Sequence, residues 1–121
     1  MQATKHDTGK LRYDLISPIA LERIAEVYTF GAAKYGDHNW RRGMQWTRVF
    51  AAIMRHLWAW MRREDKDTES GLPHLAHAAW GCFTLLDFAI TRPDFDNRPR
   101  LYEMCNTQDD ESIESDQDTR L

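Results

Sequence analysis

Three stretches of this chain place apolar residues three and four positions apart, and each is opened or closed by residues that start or stop a helix. In the first, Ile16, Ser17 and Pro18 supply a hydrophobic staple, an N-cap and a proline at the first helical position. Ala20, Ile24, Val27, Tyr28 and Gly31 then share one stripe as far as about Lys34 or Tyr35, with Glu22 and Glu26 turned away. The second stretch takes Thr47 as its cap and runs through Val49, Phe50, Ile53, Leu57, Trp60 and Met61 to about Arg63. Pro73 suits the first turn of the third, whose stripe of Leu75, Ala78, Cys82, Leu85, Phe88 and Ala89 ends before Pro93. Gly36 to Gly43 is full of turn formers and reads as a loop, and Asp65 to Pro73 reads as a linker. Strand alternation, repeats and sustained heptads are absent. The spacing predicts an all-α fold, a small bundle of three long helices plus short elements, with a weak fourth element over about Arg98 to Cys105.

A chain of 121 residues suits one domain, here residues 1–105. Its 42% hydrophobic content, with five Trp and five Phe, excludes disorder for most of its length. From Asn106 onward the composition changes. That tail carries six acidic residues and one Arg, leaving residues 1–105 with 15 basic and 13 acidic groups. The tail is expected to be solvated and disordered, and the mildly basic remainder suits a small anionic ligand. Cys82 and Cys105 are too few for a disulfide framework and read as reduced thiols of a cytoplasmic protein. No apolar run reaches the roughly 18 residues of a membrane span, and the opening MQATKHDTGK lacks the apolar region of a signal peptide.

Several polar residues stand where the helical pattern calls for apolar ones. At about 100° per residue, His74 lies within about 20° of Leu85, and His77 about 60° to one side of His74, next to Phe88. His56 lies about 20° from Val49, and Glu64 continues its stripe one turn beyond Trp60. A short connection makes the two helices antiparallel neighbours, so Glu64 should meet His74 and His77. One inward histidine is usually a satisfied core residue. Three inward histidines with a carboxylate call for a shared explanation, because unpaired buried ionisable groups cost several kcal/mol, on the order of a salt bridge's desolvation. A divalent metal ion supplies one, with His56, Glu64, Asp67, His74 and His77 as candidate ligands. His56, two turns from Glu64, is alternatively a contact to substrate. Asp65, Asp67 and Glu69 add carboxylates just before His74, or simply form a solvated acidic loop.

The blocks GKLRYDL, FGAAKYGDHNW, RHLWAW and EDKDTESGLPHLAHAAW, in this order between about Gly9 and Ile90, closely resemble the phage dATP/dGTP diphosphohydrolase family, related to the MazG-like pyrophosphohydrolases. MazG-like proteins take their metal from an EExxE pattern and an ExxD pattern. Here His74 and His77 stand at the ExxD spacing, and Arg55-His56 stands where the acidic pair would begin. The resemblance implies a MazG-like fold and hydrolysis of a deoxynucleoside triphosphate, dGTP or dATP, to the monophosphate and pyrophosphate. It further implies Mg, Mn or Co as cofactor, Glu64 or Glu69 as the base, and residence in a phage host's cytoplasm. In some phages such an enzyme feeds dGMP into 2-aminoadenine nucleotide synthesis.

Lys34 is a candidate for a phosphate, Asn39 for a base edge and Trp40 for stacking on a purine, with Tyr35 beside them. Equally, Lys34 can complement a helix dipole and Trp40 can pack. Lys10 and Arg12 are weaker phosphate candidates, and Arg55 either contacts phosphate or pairs with an acid. A homo-oligomer is expected, because three helices leave much apolar surface to cover. The competing readings are a non-catalytic helical nucleotide-binding module and a nucleic-acid binder. Arg41, Arg42, Arg48, Arg55, Arg62 and Arg63 share no single helical face, and a pI of about 5.9 argues further against the latter.

Overall fold

The computed structural model describes residues 1–100. Three helices, α1 (Pro18–Tyr35), α2 (Trp46–Met61) and α3 (His74–Thr91), are joined by irregular segments with short 3-10 turns at Tyr13–Leu15, Asn39–Arg42 and Pro93–Phe95. The all-α bundle is as expected, and the Gly36 to Gly43 loop contains a 3-10 turn of its own. The Cys105 thiol, the acidic tail and the 105/106 boundary lie outside the described residues. So does most of the expected fourth element, whose first residues, 98–100, are not helical.

The helix starts follow local chemistry. Ser17 Oγ accepts the Ala20 amide at 3.1 Å, which caps α1 ahead of Pro18. Thr47, expected as a cap, lies inside the first turn of α2. Its amide donates to Asn97 Oδ1 at 3.0 Å and its Oγ1 accepts from Asn97 Nδ2 at 2.8 Å. The orphan N–H of this turn is thus satisfied by a side chain from beyond α3, a partner no local pattern announces. Pro73 sits one position before α3.

Contacts between α2 and α3 pair early residues of one with late residues of the other. Trp46 Nε1 donates to the Arg92 carbonyl at 3.2 Å, Ile53 lies against Gly81, and His56 meets His74. The two helices are therefore antiparallel. Val49, Ile53, Ala78 and Phe88 form the core, with Trp40, Met44, Trp46 and Leu85 packed around them. α1 leans on α3 and buries Val27.

The buried stripe differs from the one the spacing predicts. On α3 it runs through His74, Ala78, Gly81, Thr84 and Phe88, while Leu75, Cys82 and Ala89 are exposed. On α2, Val49 and Ile53 are buried, whereas Phe50, Leu57, Trp60 and Met61 are exposed. Each of these helices carries two apolar faces, and periodicity alone merges them into one.

Gly81 sets the distance between α2 and α3. A Cβ there would lie 2.4 Å from Ile53 Cγ1 and 2.8 Å from its Cδ1. Gly81→Ala should therefore force Ile53 aside and cost about 1–3 kcal/mol of stability, read from the urea unfolding midpoint. An unchanged midpoint would show that the helices have room to part.

Candidate functional site

The segment between α2 and α3 closes on itself. Arg63 takes a left-handed φ of +75°, and the Glu64 amide bonds back to the Ala59 carbonyl at 3.0 Å. Lys66 and Pro73 form an antiparallel bridge, and the Asp67 amide donates to the Leu72 carbonyl at 2.8 Å. Gly71, at φ +73°, returns its amide to the Asp67 carbonyl at 2.8 Å. The Asp67 side chain completes the turn, Oδ2 accepting the amides of Ser70 at 2.9 Å and Glu69 at 3.1 Å. Finally the His74 amide donates to the Asp65 carbonyl at 2.9 Å. The linker predicted from composition is a hydrogen-bonded loop that holds Asp67 against the helix pair.

His74 is buried, with Nε2 2.6 Å from Glu64 Oε2 and Nδ1 2.8 Å from His56 Nδ1. A carboxylate oxygen only accepts, so in the neutral ring Nε2 carries the proton and Nδ1 presents a lone pair towards His56. His56 stacks on His77 at a centroid separation of 4.5 Å and an interplanar angle of 7°. His77 Nε2 lies 2.7 Å from Ser70 Oγ, which itself accepts the Leu72 amide at 3.1 Å.

His56, Asp67 and His74 each offer one ligand atom, and these atoms all lie within 4.8 Å of one another. Two imidazoles and a carboxylate form a donor set that fits a divalent cation. Glu64 and His77, expected as ligands, stand outside this group among the described residues. Glu64 lies behind His74, and the ring nitrogen of His77 is directed at Ser70. Histidines at i and i+3 share a helix face, and His56 of α2 contacts both, bonding to His74 and stacking on His77.

Burial, reinforced by the neighbouring histidines His77 and His74, holds the His56 pKa below its ordinary value. Burial also lowers that of His77, against the opposing pull of Asp67. Burial pushes the Asp67 carboxyl up. The Ser70 amide, His77 and the Glu69 amide outweigh it and hold the group below its ordinary value.

A groove of about 1400 Å³ opens beside this cluster, lined by His56, Asp67, Glu69 and His77 together with residues of α1 and the 3-10 turn after it. Lys34, Tyr35, Asn39, Trp40 and Arg55 all line it. Lys34 is ion-paired with Glu69, which lifts the lysine pKa and ties α1 to the loop. Trp40 is engaged in packing. Its ring meets Tyr28 at 5.9 Å and Phe88 at 6.2 Å, and the Arg41 guanidinium lies 4.5 Å above it. Lys10 is exposed on the N-terminal segment, outside the groove lining, and Arg12 is paired with Asp14 at 2.7 Å.

Sequence reasoning singled out neither Ser70 nor Asp87, and it weighed Arg48 only as part of a nucleic-acid-binding surface. Arg48 stands two turns before Arg55 on α2 and lines the same groove, a seven-residue spacing that was available to find it.

A sequence model described as "dATP/dGTP diphosphohydrolase, N-terminal" matches residues 1–98. The chain belongs to this family. A protein of Salmonella phage PMBT28 named dATP/dGTP diphosphohydrolase is 38% identical over 98 residues, covering 81% of this chain. The family match thus spans every residue of the cluster and groove. The chain spans only 33% of that relative's length. No solved structure matches.

The depressed histidines give stability a sign with pH. Unfolded His56 and His77 take up protons near 6.5. The folded protein resists doing so, so acid favours the unfolded chain and stability should fall as pH drops from about 6.5. His56→Gln should flatten that decline in denaturant midpoints compared between pH 7.5 and 5.5 (both about one unit from the ordinary value). An equal slope in the two proteins would refute the role of His56.

Proposed function

We propose that the chain hydrolyses dGTP and dATP to the monophosphate and pyrophosphate, with a divalent cation held by His56, His74 and Asp67. The observation that supports this best is the meeting of that donor group with Arg48, Arg55 and Lys34 at one groove, in a chain of this family. A cation bound there supplies neutralisation of phosphate charge and acidification of water. Two imidazoles in the donor set favour Mn²⁺ or Co²⁺ over Mg²⁺.

The remaining work falls to side chains. Arg48 and Arg55 bind phosphate oxygens, and the triphosphate competes with Glu69 for Lys34. Glu69, freed at the groove wall, takes the proton of the water that attacks the α-phosphorus. The bond from that phosphorus to the bridging oxygen of the β-phosphate breaks, and pyrophosphate leaves. Glu64 acts as a positioning residue, fixing the His74 tautomer in the manner of carboxylates behind metal-bound histidines. Turnover of both purines would lower dATP and raise dGMP, the balance required by a phage that makes 2-aminoadenine nucleotides.

Purified protein incubated with each dNTP and Mg²⁺, Mn²⁺ or Co²⁺ should release pyrophosphate from dGTP and dATP. No release under any metal overturns the reading. Asp67→Asn and His74→Ala should abolish turnover, while Glu64→Gln should weaken metal affinity or activity by about 10–100-fold. Full activity in His74→Ala would refute the ligand assignment.

The second apolar faces of α2 and α3 favour a homo-oligomer. Phe50, Met54, Leu57, Trp58 and Met61 share one stripe, and Leu75, Ala79, Cys82, Leu86 and Ile90 another, with no charged residue in either. Met61, Leu86 and Ile90 are 64%, 71% and 83% exposed. By helical phase both stripes lie on the side of the α2–α3 layer opposite the groove. A patch without charge can meet a second copy of itself across a two-fold axis without like-charge repulsion. Leu86→Glu should convert a dimer to a monomer in sedimentation velocity, and a wild-type monomer would refute the dimer.

A further inference from the structure

One end of the groove takes no part in the hydrolytic chemistry. His77, Trp80, Thr84 and Asp87 recur at three- and four-residue steps on α3, so they share one face. His77, Trp80 and Asp87 line the groove, and Thr84 is fully buried. Ten residues of helix separate His77 from Asp87 by about 15 Å. That span matches a nucleotide laid with its phosphates at the histidines and its base at Asp87.

The Asp87 end has aromatic walls and polar groups of both signs. Tyr28 meets Trp40 at 5.9 Å and Trp80 at 6.0 Å. Burial raises the Tyr28 pKa, helped by Asp87 and opposed by Arg41, and the buried Thr84 hydroxyl has no hydrogen-bond partner among the described residues. Asp87 Oδ1 accepts from Thr91 Oγ1 at 2.7 Å, while Oδ2 receives no hydrogen bond among the described residues. A carboxylate is therefore held in place by its own helix, with acceptor capacity left over at the groove wall.

We infer that this end is a purine-base site in which Asp87 reads the Watson–Crick edge and prefers guanine, an inference that rests on the nucleotide reading above. A carboxylate only accepts hydrogen bonds. Guanine offers it two adjacent donors, N1–H and the N2 amino group, which fit its two oxygens. Adenine offers one donor, N6, beside the N1 lone pair, so one bond is lost and a lone pair faces an oxygen. The aromatic walls suit the larger purine ring over a pyrimidine. Asp87 thus admits both purines and ranks them.

The test is equilibrium binding of dGMP, dIMP and dAMP in the presence of Mn²⁺, by calorimetry, to the wild-type chain and to Asp87→Asn. The wild type should bind dGMP most tightly, lose about tenfold with dIMP, which lacks the 2-amino group, and bind dAMP no better than dIMP. Asp87→Asn should shrink the dGMP to dAMP affinity ratio by about 10–100-fold. An unchanged ratio in a folded variant overturns the inference. Should the variant not fold, equal wild-type affinity for dGMP and dIMP overturns it equally well. Monophosphates bind without reaction, so the two readings separate. The ranking without pyrophosphate release from any dNTP refutes the hydrolase and leaves the base site. Turnover with indifference between dGMP and dAMP does the reverse, and the absence of both monophosphate binding and pyrophosphate release overturns both.

Discussion

The close approach of α2 and α3 governs everything else in this chain. Gly81 lets Ile53 settle onto the backbone of α3, and a side chain at that position would overlap Ile53. Seven residues towards the start of α3 lies His74, and three towards the end of α2 lies His56. The contact that seats Ile53 therefore also brings two imidazole nitrogens to 2.8 Å. Wider spacing would leave each histidine as a separate half-buried polar group, at a cost in desolvation and with no shared ligand.

The second constraint is the loop. Its hydrogen bonds tie the amides of Asp67, Glu69, Ser70, Gly71, Leu72 and His74 to acceptors within residues 65–74, so the segment holds its shape largely by itself. Asp67 works on both sides of this arrangement. Oδ2 nucleates the turn, and the same carboxylate reaches the histidine pair. The electrostatics agree with the geometry, since the Ser70 and Glu69 amides favour a charged Asp67 while burial favours the neutral forms of His56 and His77. Neutral imidazoles next to a stable anion are the protonation states that cation binding requires.

Much of this was legible in the sequence. Ser17-Pro18 marks the start of α1 because capping is local, and the helical phase of His56 and His74 survives because a helix transmits register along its length. Glu64 meets His74 as the antiparallel arrangement requires. What could not be read depends on tertiary partners. Thr47 is satisfied by Asn97, fifty residues away. Periodicity could not say which of two apolar faces is buried, so Leu75 and Cys82 look like core residues until the helices are placed. Glu64 and His77 have the right phase for ligands. Glu64 meets His74 Nε2 and His77 Nε2 meets the Ser70 hydroxyl, and those contacts are properties of side-chain direction rather than position.

The closed loop has an evolutionary consequence. A surface segment that leans on nothing can usually gain or lose a residue, because its ends stay free to move. Between Glu64 and His74 that freedom is gone, since the turn locks the count of residues as firmly as a helix locks its phase. One inserted residue would rotate Asp67 out of register with the imidazoles while leaving every helix intact. Length in this stretch is itself a chemical property of the protein, and change there should come by substitution alone.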